Sequence, residues 1–340
     1  MEATAQLSPP KAVGQRIASL DGLRAISIVM VILGHASTTK GFPHIPLAGS
    51  YSSFGVRVFF VISGFLITTL LIKERDRSGT ISLREFYRRR SYRILPPAYL
   101  YILVIVAFQW KTLDAKGILC AAAYTINYLR VRPWNLGHLW TLSVEEQFYF
   151  LWPCLLLFFW RKRVQILIAA ILLAPLVRIL YGAAGAADLG SMSFPAVQDA
   201  MAVGCLLAIR RDWINTKLVD RWILPIAILT LTMMLFHYPH GIEPLIIISL
   251  CNFGIAVLID HCIRKRYWLL NWAPIVWIGT ISYSLYLWQQ PFMNRAMPYL
   301  WTTFPLNVLL PIACASVSYY CIERPALRLR DRRAAGSYLR

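Results

Sequence analysis

The sequence predicts an all-α polytopic membrane protein with about ten transmembrane helices. Of its 340 residues, 58% are hydrophobic and only 15% are charged, whereas about a quarter of the residues in soluble domains are charged. Apolar runs near the length that a bilayer helix needs, roughly 20 residues, recur from Ala25 to the region of Glu323 with short polar breaks. We therefore expect a multi-pass protein of the cell membrane.

The basic residues are concentrated in the polar breaks. A net charge of +19 would suggest a nucleic-acid partner in a soluble protein, but this placement argues against one and is typical of cytoplasmic membrane loops. An even number of crossings must then separate each basic patch from the next. The patches lie at residues 1–24, 73–93, 161–163, 210–221, 264–266 and 324–340.

The even number of crossings between basic patches sets the number of spans and places both termini on the cytoplasmic side. A cytoplasmic tail of residues 1–22 precedes a transmembrane domain of residues 23–323, and a basic cytoplasmic tail of residues 324–340 follows. The apolar segment near 117–129 would move later patches to the wrong side if it crossed, so we predict that it is re-entrant or interfacial on the outside. The predicted spans lie near residues 23–38, 54–72, 94–110, 142–160, 164–182, 195–209, 222–238, 243–262, 273–290 and 304–322.

The first span carries an arginine and a histidine within an apolar stretch. Arg24 and His35 are eleven residues apart, which is about three helical turns and roughly 16 Å of rise, so they share one helix face. Arg24 at the cytoplasmic boundary could simply snorkel to the interface. A histidine inside the apolar zone is costly and usually faces a cavity or a partner, which makes His35 a candidate functional residue.

Four arginines precede the third span within the stretch from Phe86 to Pro97. They could anchor the topology or contact anionic lipids. The planar donor fork of arginine also suits phosphate oxygens, so the cluster is a candidate phosphate site. Its members are Arg88, Arg89, Arg90 and Arg93.

Polar residues also mark the entrance to the fourth span. Ser143 with Glu146 three residues later predicts a capping box at a helix N-terminus. Glu145 has no such explanation: it could be a solvated carboxylate, or, with His138 just upstream, it could orient a base or bind hydroxyls.

Taken together, these motifs resemble the bacterial acyltransferase-3 family of membrane O-acyltransferases, in the form without an SGNH-type domain after the membrane part. The resemblance covers nearly the whole chain. It departs from the family at Arg57, where many members have a carboxylate, and at Gln289, where many have a histidine. The motifs that carry it are Arg24 with His35, "GVRVFFVISGFLI", "RSYRILPP", "LWTLSVEEQFYFLWP", "ISYSLYLWQQP" and "IERP".

The resemblance implies transfer of an acyl group, usually acetyl, from cytoplasmic acyl-CoA to a hydroxyl of a cell-envelope or exported glycan. The acceptor would be a carbohydrate or a lipid-linked glycan, and the protein would lie among the lipids of the inner membrane if the source is Gram-negative. The seven cysteines lack the spacing of a metal site, so we expect no metal.

The family's functional residues can be carried onto matching positions of this chain. We expect the arginines to bind the phosphates of the acyl-CoA donor and His35 to be the general base, a task suited to imidazole. From the residues themselves, at the start of the fourth span, we expect Glu145 to be a second catalytic group and His138 to contact the substrate. The donor-binding arginines are Arg24, Arg90 and Arg93.

Two other classes of function compete with this interpretation. A transporter or flippase of a lipid-linked glycan would use the buried polar groups as substrate contacts or proton relays, but the sequence shows no repeat symmetry or broken helices. A membrane scaffold would leave Arg24, His35 and Glu145 without a purpose. Several aromatic residues could stack on sugars or form an interfacial belt: Trp134, Trp140, Tyr286, Trp288 and Trp301.

Overall fold

The computed structural model describes residues 17–37, 39–235, 243–297 and 299–337, which form helices and connecting turns without any strand. The predicted all-α fold is therefore confirmed. The α-helices are α1 Ala18–Ala36, α2 Ala48–Ser78, α3 Leu83–Gln109, α4 Ala115–Ala122, α5 Trp134–Gly137, α6 Trp140–Phe158, α7 Arg163–Ala183, α8 Ala187–Met192, α9 Phe194–Val197, α10 Asp199–Ile209, α11 Thr216–Leu235, α12 Glu243–Lys265, α13 Trp268–Asn271, α14 Ala273–Trp288, α15 Leu306–Ser318 and α16 Arg324–Ser337.

Among the described residues, seven helices are long and apolar enough to cross a bilayer. The predicted spans near 142–160, 195–209 and 273–290 coincide instead with α6, with α9 and α10 together, and with α14, which are shorter or less apolar. The polytopic membrane fold is confirmed, and the number ten stays a prediction. The seven are Ala18–Ala36, Ala48–Ser78, Leu83–Gln109, Trp160–Ala183, Thr216–Leu235, Ile246–Lys265 and Leu306–Arg333.

The predicted boundary segments can be placed in part. Residues 1–16 of the predicted N-terminal tail and residues 236–242, where a predicted span ends, lie outside the described residues. The segment near 117–129 forms the eight-residue α4 and a 3₁₀ turn at Ile126–Tyr128. At 1.5 Å per residue, α4 rises only about 12 Å, so it is too short to span; its position relative to the bilayer stays a prediction.

Helix α3 begins eleven residues earlier than the predicted third span. Its N-cap is Ser82, whose side chain accepts a hydrogen bond from the Glu85 N–H at 3.4 Å. The arginine cluster therefore lies within α3 rather than before it. Because side chains three residues apart share a helix face, Arg90 and Arg93 point the same way.

The predicted capping box at Ser143 and Glu146 is wrong. Helix α6 begins at Trp140, so Ser143 lies within its first turn and donates its hydroxyl to the Leu139 carbonyl at 3.1 Å. The Ser-x-x-Glu pattern does start a helix in this chain, but at Ser82 and Glu85. The position of a helix start depends on the preceding turn, which the pattern alone does not specify.

The bundle centre is formed by α1, which packs against α2 and α14, and by α2, which packs against α10. Helices α2 and α10 approach each other closely at two glycines. A Cβ at Gly64 would collide with the Met201 carbonyl, and a Cβ at Gly204 would collide with the Val61 carbonyl. Small residues at such crossings let membrane helices approach backbone to backbone.

A buried ionic cluster holds α2, α7, α10 and α12 together. The Asp199 carboxylate, fully buried, accepts from Arg178 at 3.1 Å and from the Ser249 hydroxyl at 2.7 Å. Arg57 lies 3.7 Å from the same carboxylate and donates to Asn252 at 3.4 Å. In this chain, Arg57 thus belongs to a structural ion cluster.

Residues 324–337 of the predicted basic tail form α16, and residues 338–340 lie outside the described residues. A π-helical turn, Tyr319–Glu323, joins α15 to α16. Glu323 is only 2% exposed and accepts a hydrogen bond from the Ser284 hydroxyl of α14 at 3.0 Å, while Arg333 donates to the Tyr92 hydroxyl of α3 at 2.5 Å. These contacts fix α16 beside the start of α3.

Candidate active site

A cavity of about 440 Å³ lies between α1, α2, α3, α6, α14 and α16. Cationic side chains line one end of it, and apolar side chains such as Phe59 and Leu142 line much of the rest. The cations come from four different helices. They are Arg24 of α1, Lys73 of α2, Arg90 and Arg93 of α3, and Arg330 of α16.

The three arginines predicted to bind the donor are all in this cationic wall. Arg24 projects from α1 next to Asp21, with which it forms an ion pair at 3.2 Å. Helix α14 approaches this turn of α1 closely because Gly279 lies against the Asp21 carbonyl, where any side chain would collide. The Arg24 side chain is 18% exposed and remains available to a ligand in the cavity.

The arginine cluster of α3 divides into two pairs. Arg88 and Arg89 form ion pairs at 2.6 Å with Glu85 and Glu74, and neither lines the cavity. Arg90 and Arg93 line it. Helical periodicity puts Arg90 and Arg93 on one side of α3, because positions three residues apart are neighbours. Arg89, four residues before Arg93, is also close to that side, but it is paired with Glu74.

Glu145 lies on the cavity wall with the arginines. One carboxylate oxygen accepts a hydrogen bond from the Ser63 hydroxyl at 2.8 Å, and the other lies 3.9 Å from Arg90. The Arg90 guanidinium also stacks over the Tyr149 ring at 3.8 Å. The expected partnership of Glu145 with His138 does not occur in these contacts, since the two residues are about two helical turns apart along the chain.

His35 has two side-chain partners. Its Nδ1 lies 2.9 Å from Oε1 of Gln289, and its Nε2 lies 3.3 Å from the hydroxyl of Ser52. Gln289 is 254 positions away in the sequence and belongs to the turn after α14. The sequence identified Gln289 only as a departure from the family pattern, and it gave no sign of Ser52.

The protonated nitrogen of His35 can be deduced from a chain of amides. Gln290 Nε2 donates to the Trp134 backbone carbonyl at 3.2 Å, a group that can only accept. Gln290 Oε1 therefore accepts from Gln289 Nε2 at 3.2 Å, which turns Gln289 Oε1 toward His35. Nδ1 of His35 then carries the proton in the neutral ring, and Nε2 is the basic nitrogen.

The apolar end of the cavity comes close to this histidine, although His35 itself does not line it. Val56 of α2 and Tyr286 of α14 line the cavity. Each lies about one helical turn from a partner of His35, namely Ser52 and Gln289. The cavity therefore extends from the cationic wall to within about one helical turn of the two residues that contact the histidine.

His138 lies behind the site and lines neither this cavity nor the second one described below. It is 4% exposed, and its Nε2 donates to the Leu287 carbonyl at 3.2 Å. The Tyr286 hydroxyl donates to the His138 carbonyl at 2.8 Å, and the His138 ring meets Tyr101 edge to face. This environment suits a role in packing and positioning.

The aromatic residues expected at an interfacial belt differ in burial in the structure. Tyr286 is 8% exposed and faces the cavity, so the belt interpretation is wrong for it. Trp288 meets the buried Tyr101 ring edge to face. Trp134 and Trp301 are exposed by 37% and 47%.

Comparisons with known proteins identify the family. The family described as "Acyltransferase domain", acyltransferase-3, matches residues 17–322. This chain belongs to the acyltransferase-3 family. The matched region includes α1 to α15 and so contains every predicted site residue; Arg330 of α16 lies beyond it.

Curated relatives of this acyltransferase-3 chain include two O-acetyltransferases and one putative O-acetyltransferase. The peptidoglycan O-acetyltransferase OatA of Listeria monocytogenes is 28% identical over 91% of this chain and 55% of its own length. O-acetyltransferase OatA of Staphylococcus aureus is 29% identical over 90% of this chain and 56% of its own length. The putative peptidoglycan O-acetyltransferase YrhL of Bacillus subtilis is 27% identical over 91% of this chain and 54% of its own length.

The acyltransferase-3 chain thus spans about half the length of these relatives. No solved structure matches it. The comparisons give no support to the transport hypothesis.

Proposed function

We propose that this acyltransferase-3 protein is a membrane O-acetyltransferase, which moves an acetyl group from acetyl-CoA to a hydroxyl of an envelope glycan of the peptidoglycan class. One observation carries the proposal. The cavity is cationic at one end and approaches, at the other end, a histidine whose Nε2 is the basic nitrogen. The names of the relatives supply the acetyl group and the glycan class.

The cationic wall suits the nucleotide end of the donor. Coenzyme A carries phosphate groups there, and arginine binds phosphate through paired, charge-assisted hydrogen bonds. Arg24, Arg90 and Arg93 are the main contacts in this proposal, and Arg330 is a fourth one from α16. The flexible arm of the donor then follows the apolar part of the cavity toward His35, over a distance comparable with the rise of roughly 16 Å between Arg24 and His35 along α1.

The chemical step uses Nε2 of His35 as a general base. The acceptor hydroxyl gives its proton to Nε2 while its oxygen forms a bond to the thioester carbonyl carbon. Collapse of the tetrahedral intermediate breaks the carbon–sulfur bond, and the CoA sulfur leaves with the proton that the imidazolium returns. Gln289 holds Nδ1–H throughout, so the ring keeps its orientation.

Two predicted residues receive revised roles in this proposal. Glu145 positions Arg90 at the donor end and does not orient the base. His138 positions Tyr286 and the turn after α14 through its backbone carbonyl and ring contacts. Both are positioning residues, since neither reaches the reacting atoms.

The test uses the purified full chain in lipid nanodiscs with radiolabelled acetyl-CoA. We expect acetyl-CoA consumption that increases when a soluble peptidoglycan fragment is added, with the label recovered in an ester on that fragment by mass spectrometry. Envelope glycans of cells with and without the protein should differ by the same O-acetyl group. Absence of donor consumption at verified folding would contradict the proposal.

A further inference from the structure

A second cavity, of about 580 Å³, lies at the opposite end of α3 from the cationic wall. The end of α3 and the turn after it form one side, at residues 107–112, and the segments 291–297 and 299–302 contribute the other. Sixteen residues of α3 separate Arg93 from Gln109, which corresponds to about 24 Å of rise. The two cavities therefore open at different ends of the bundle.

The lining of the second cavity differs in chemistry from that of the first. Of the described residues that line it, Lys111 alone is charged. Exposed aromatic rings occur there together with side-chain amides. Tyr299 and Trp301 stack on each other with ring centroids 4.4 Å apart, each about half exposed, and Trp110 is 67% exposed.

One amide of this lining has an unmet hydrogen bond. Asn135 is 5% exposed, and its Nδ2 donates to Oε1 of Gln109 at 2.8 Å. Its Oδ1 is buried and has no partner in the described structure. A buried acceptor without a donor is costly. Asn135 lines the cavity, so a small turn of its amide would bring this oxygen to the hydroxyl group of a ligand there.

Hydrogen bonds link the segment that contains Asn135 to His35. Asn135 follows Trp134, whose backbone carbonyl accepts from Gln290 and so fixes the amides that orient His35. The Trp134 indole N–H also donates to the Gln290 carbonyl at 3.1 Å. A ligand bound against Asn135 therefore lies against the structural support of the basic nitrogen.

We propose that this cavity binds the acceptor glycan, with sugar faces on the Trp301, Tyr299 and Trp110 rings and a sugar hydroxyl donating to Oδ1 of Asn135. This inference rests on the proposed function. Aromatic rings provide a large apolar face at small entropic cost, and side-chain amides pair with hydroxyls. An interfacial belt explains the rings but not a buried amide oxygen that lacks a donor.

The experiment measures sugar binding separately from catalysis. The probe is chitotetraose, a soluble oligomer of N-acetylglucosamine, bound at equilibrium to the full chain in nanodiscs without donor. Trp301→Ala should raise its Kd about tenfold, the loss expected for one stacking contact. Trp301→Phe, which keeps a ring face, should recover most of the affinity. Trp268→Ala is the matched control, because Trp268 is 76% exposed and lines neither cavity.

Kinetics then separate this inference from the proposed function. In Trp301→Ala, the acceptor KM should rise by a similar factor, while acetyl-CoA affinity and acceptor-independent hydrolysis stay at the wild-type level. Wild-type sugar affinity in a folded Trp301→Ala protein, or equal losses for donor and acceptor, would overturn the acceptor site and leave the transferase proposal standing. Sugar binding that depends on Trp301, in a protein that never consumes acetyl-CoA, would support the sugar site and contradict the transferase proposal.

Discussion

Oε1 of Gln289 lies 2.9 Å from Nδ1 of His35 and joins the beginning and the end of the chain at the proposed base. The orientation of this amide is set by Gln290 and, beyond it, by the Trp134 carbonyl. Because the Trp134 carbonyl can only accept a hydrogen bond, the donor and the acceptor of each hydrogen bond in this series are fixed. Gln289 therefore presents its oxygen to His35, and the proton lies on Nδ1. Gln289 thus selects the tautomer in which Nε2 can accept a proton.

Gln289→Leu should lower kcat by roughly 10-fold to 100-fold, because the ring loses the acceptor that fixes its tautomer and orientation. Donor affinity should not change, since Gln289 lies outside the cationic wall. Gln289→His, which offers a ring nitrogen as acceptor, should keep much of the activity. Measurement of kcat and acetyl-CoA Kd in nanodiscs checks this. A loss of donor affinity together with kcat would indicate general distortion instead of positioning.

His35→Ala and His35→Gln should both bind acetyl-CoA normally and lose at least the roughly 100-fold that general-base catalysis commonly contributes. Glutamine can form hydrogen bonds but cannot accept the proton near neutral pH. The measurements are equilibrium donor binding and transfer to a peptidoglycan fragment, with expression as a control for insertion. Near-normal transfer by the Gln variant would mean that His35 is a structural residue.

Removing the cationic wall should weaken donor binding selectively. Arg90→Gln with Arg93→Gln should raise the Kd of acetyl-CoA at low salt at least tenfold, because charge-assisted hydrogen bonds to phosphate are lost.

The matched control for the cationic wall is Arg88→Gln with Arg89→Gln. It removes the same charge from the same helix but breaks only the pairs with Glu85 and Glu74. Equal Kd values for the two double variants would exclude a specific phosphate site and favour a nonspecific charge effect.

Asp199→Ala should destabilise the protein by about 3–5 kcal/mol, since it leaves the buried Arg57 and Arg178 without their carboxylate. The measurement is the free energy of unfolding in denaturant, in mixed micelles. Asp212→Ala removes the exposed pair with Arg210 and should change that free energy by about 0.5 kcal/mol or less. Similar values for both variants would show that the buried cluster contributes no more than a surface pair.

The predicted topology can be checked by thiol labelling in a background without native cysteines. A cysteine at the exposed Thr125 should react with a membrane-impermeant reagent from outside or remain protected. A cysteine at the exposed Ser78, in a basic patch, should react only after permeabilisation. Labelling of Thr125→Cys from the cytoplasm alone would exclude the arrangement of ten spans.

The parts of the site that the sequence predicted are the local ones. The resemblance to the family assigned the donor role to Arg24, Arg90 and Arg93, and all three line the cavity. The cluster lies inside a helix that begins at Leu83, and Arg88 and Arg89 are set apart from Arg90 and Arg93 by their ion pairs with Glu85 and Glu74. That start depended on the turn at Ser82, which the apolar pattern did not reveal.

The parts that the sequence missed depend on contacts between distant segments. Arg330 was assigned to a cytoplasmic tail, yet α16 carries it into the cavity because Glu323 is held by Ser284 of α14. Glu145 was grouped with His138 because they are close in sequence, whereas the packing of α6 against α2 joins it to Ser63 and places it near Arg90.

The sequence by itself determined that this chain is a helical membrane protein, that Arg24 and His35 share a helix face, and that the chain resembles the acyltransferase-3 family. Composition and helical periodicity are enough for the first two, since both act over a few turns of one helix, whereas the resemblance rests on the residues of the quoted motifs. Only the tertiary structure decided that Gln289 orients His35 and that the amides beside it lead to a second cavity. Those contacts join helices far apart in the chain, and their register is set by close packing between helices such as α1 and α14, which no local pattern encodes.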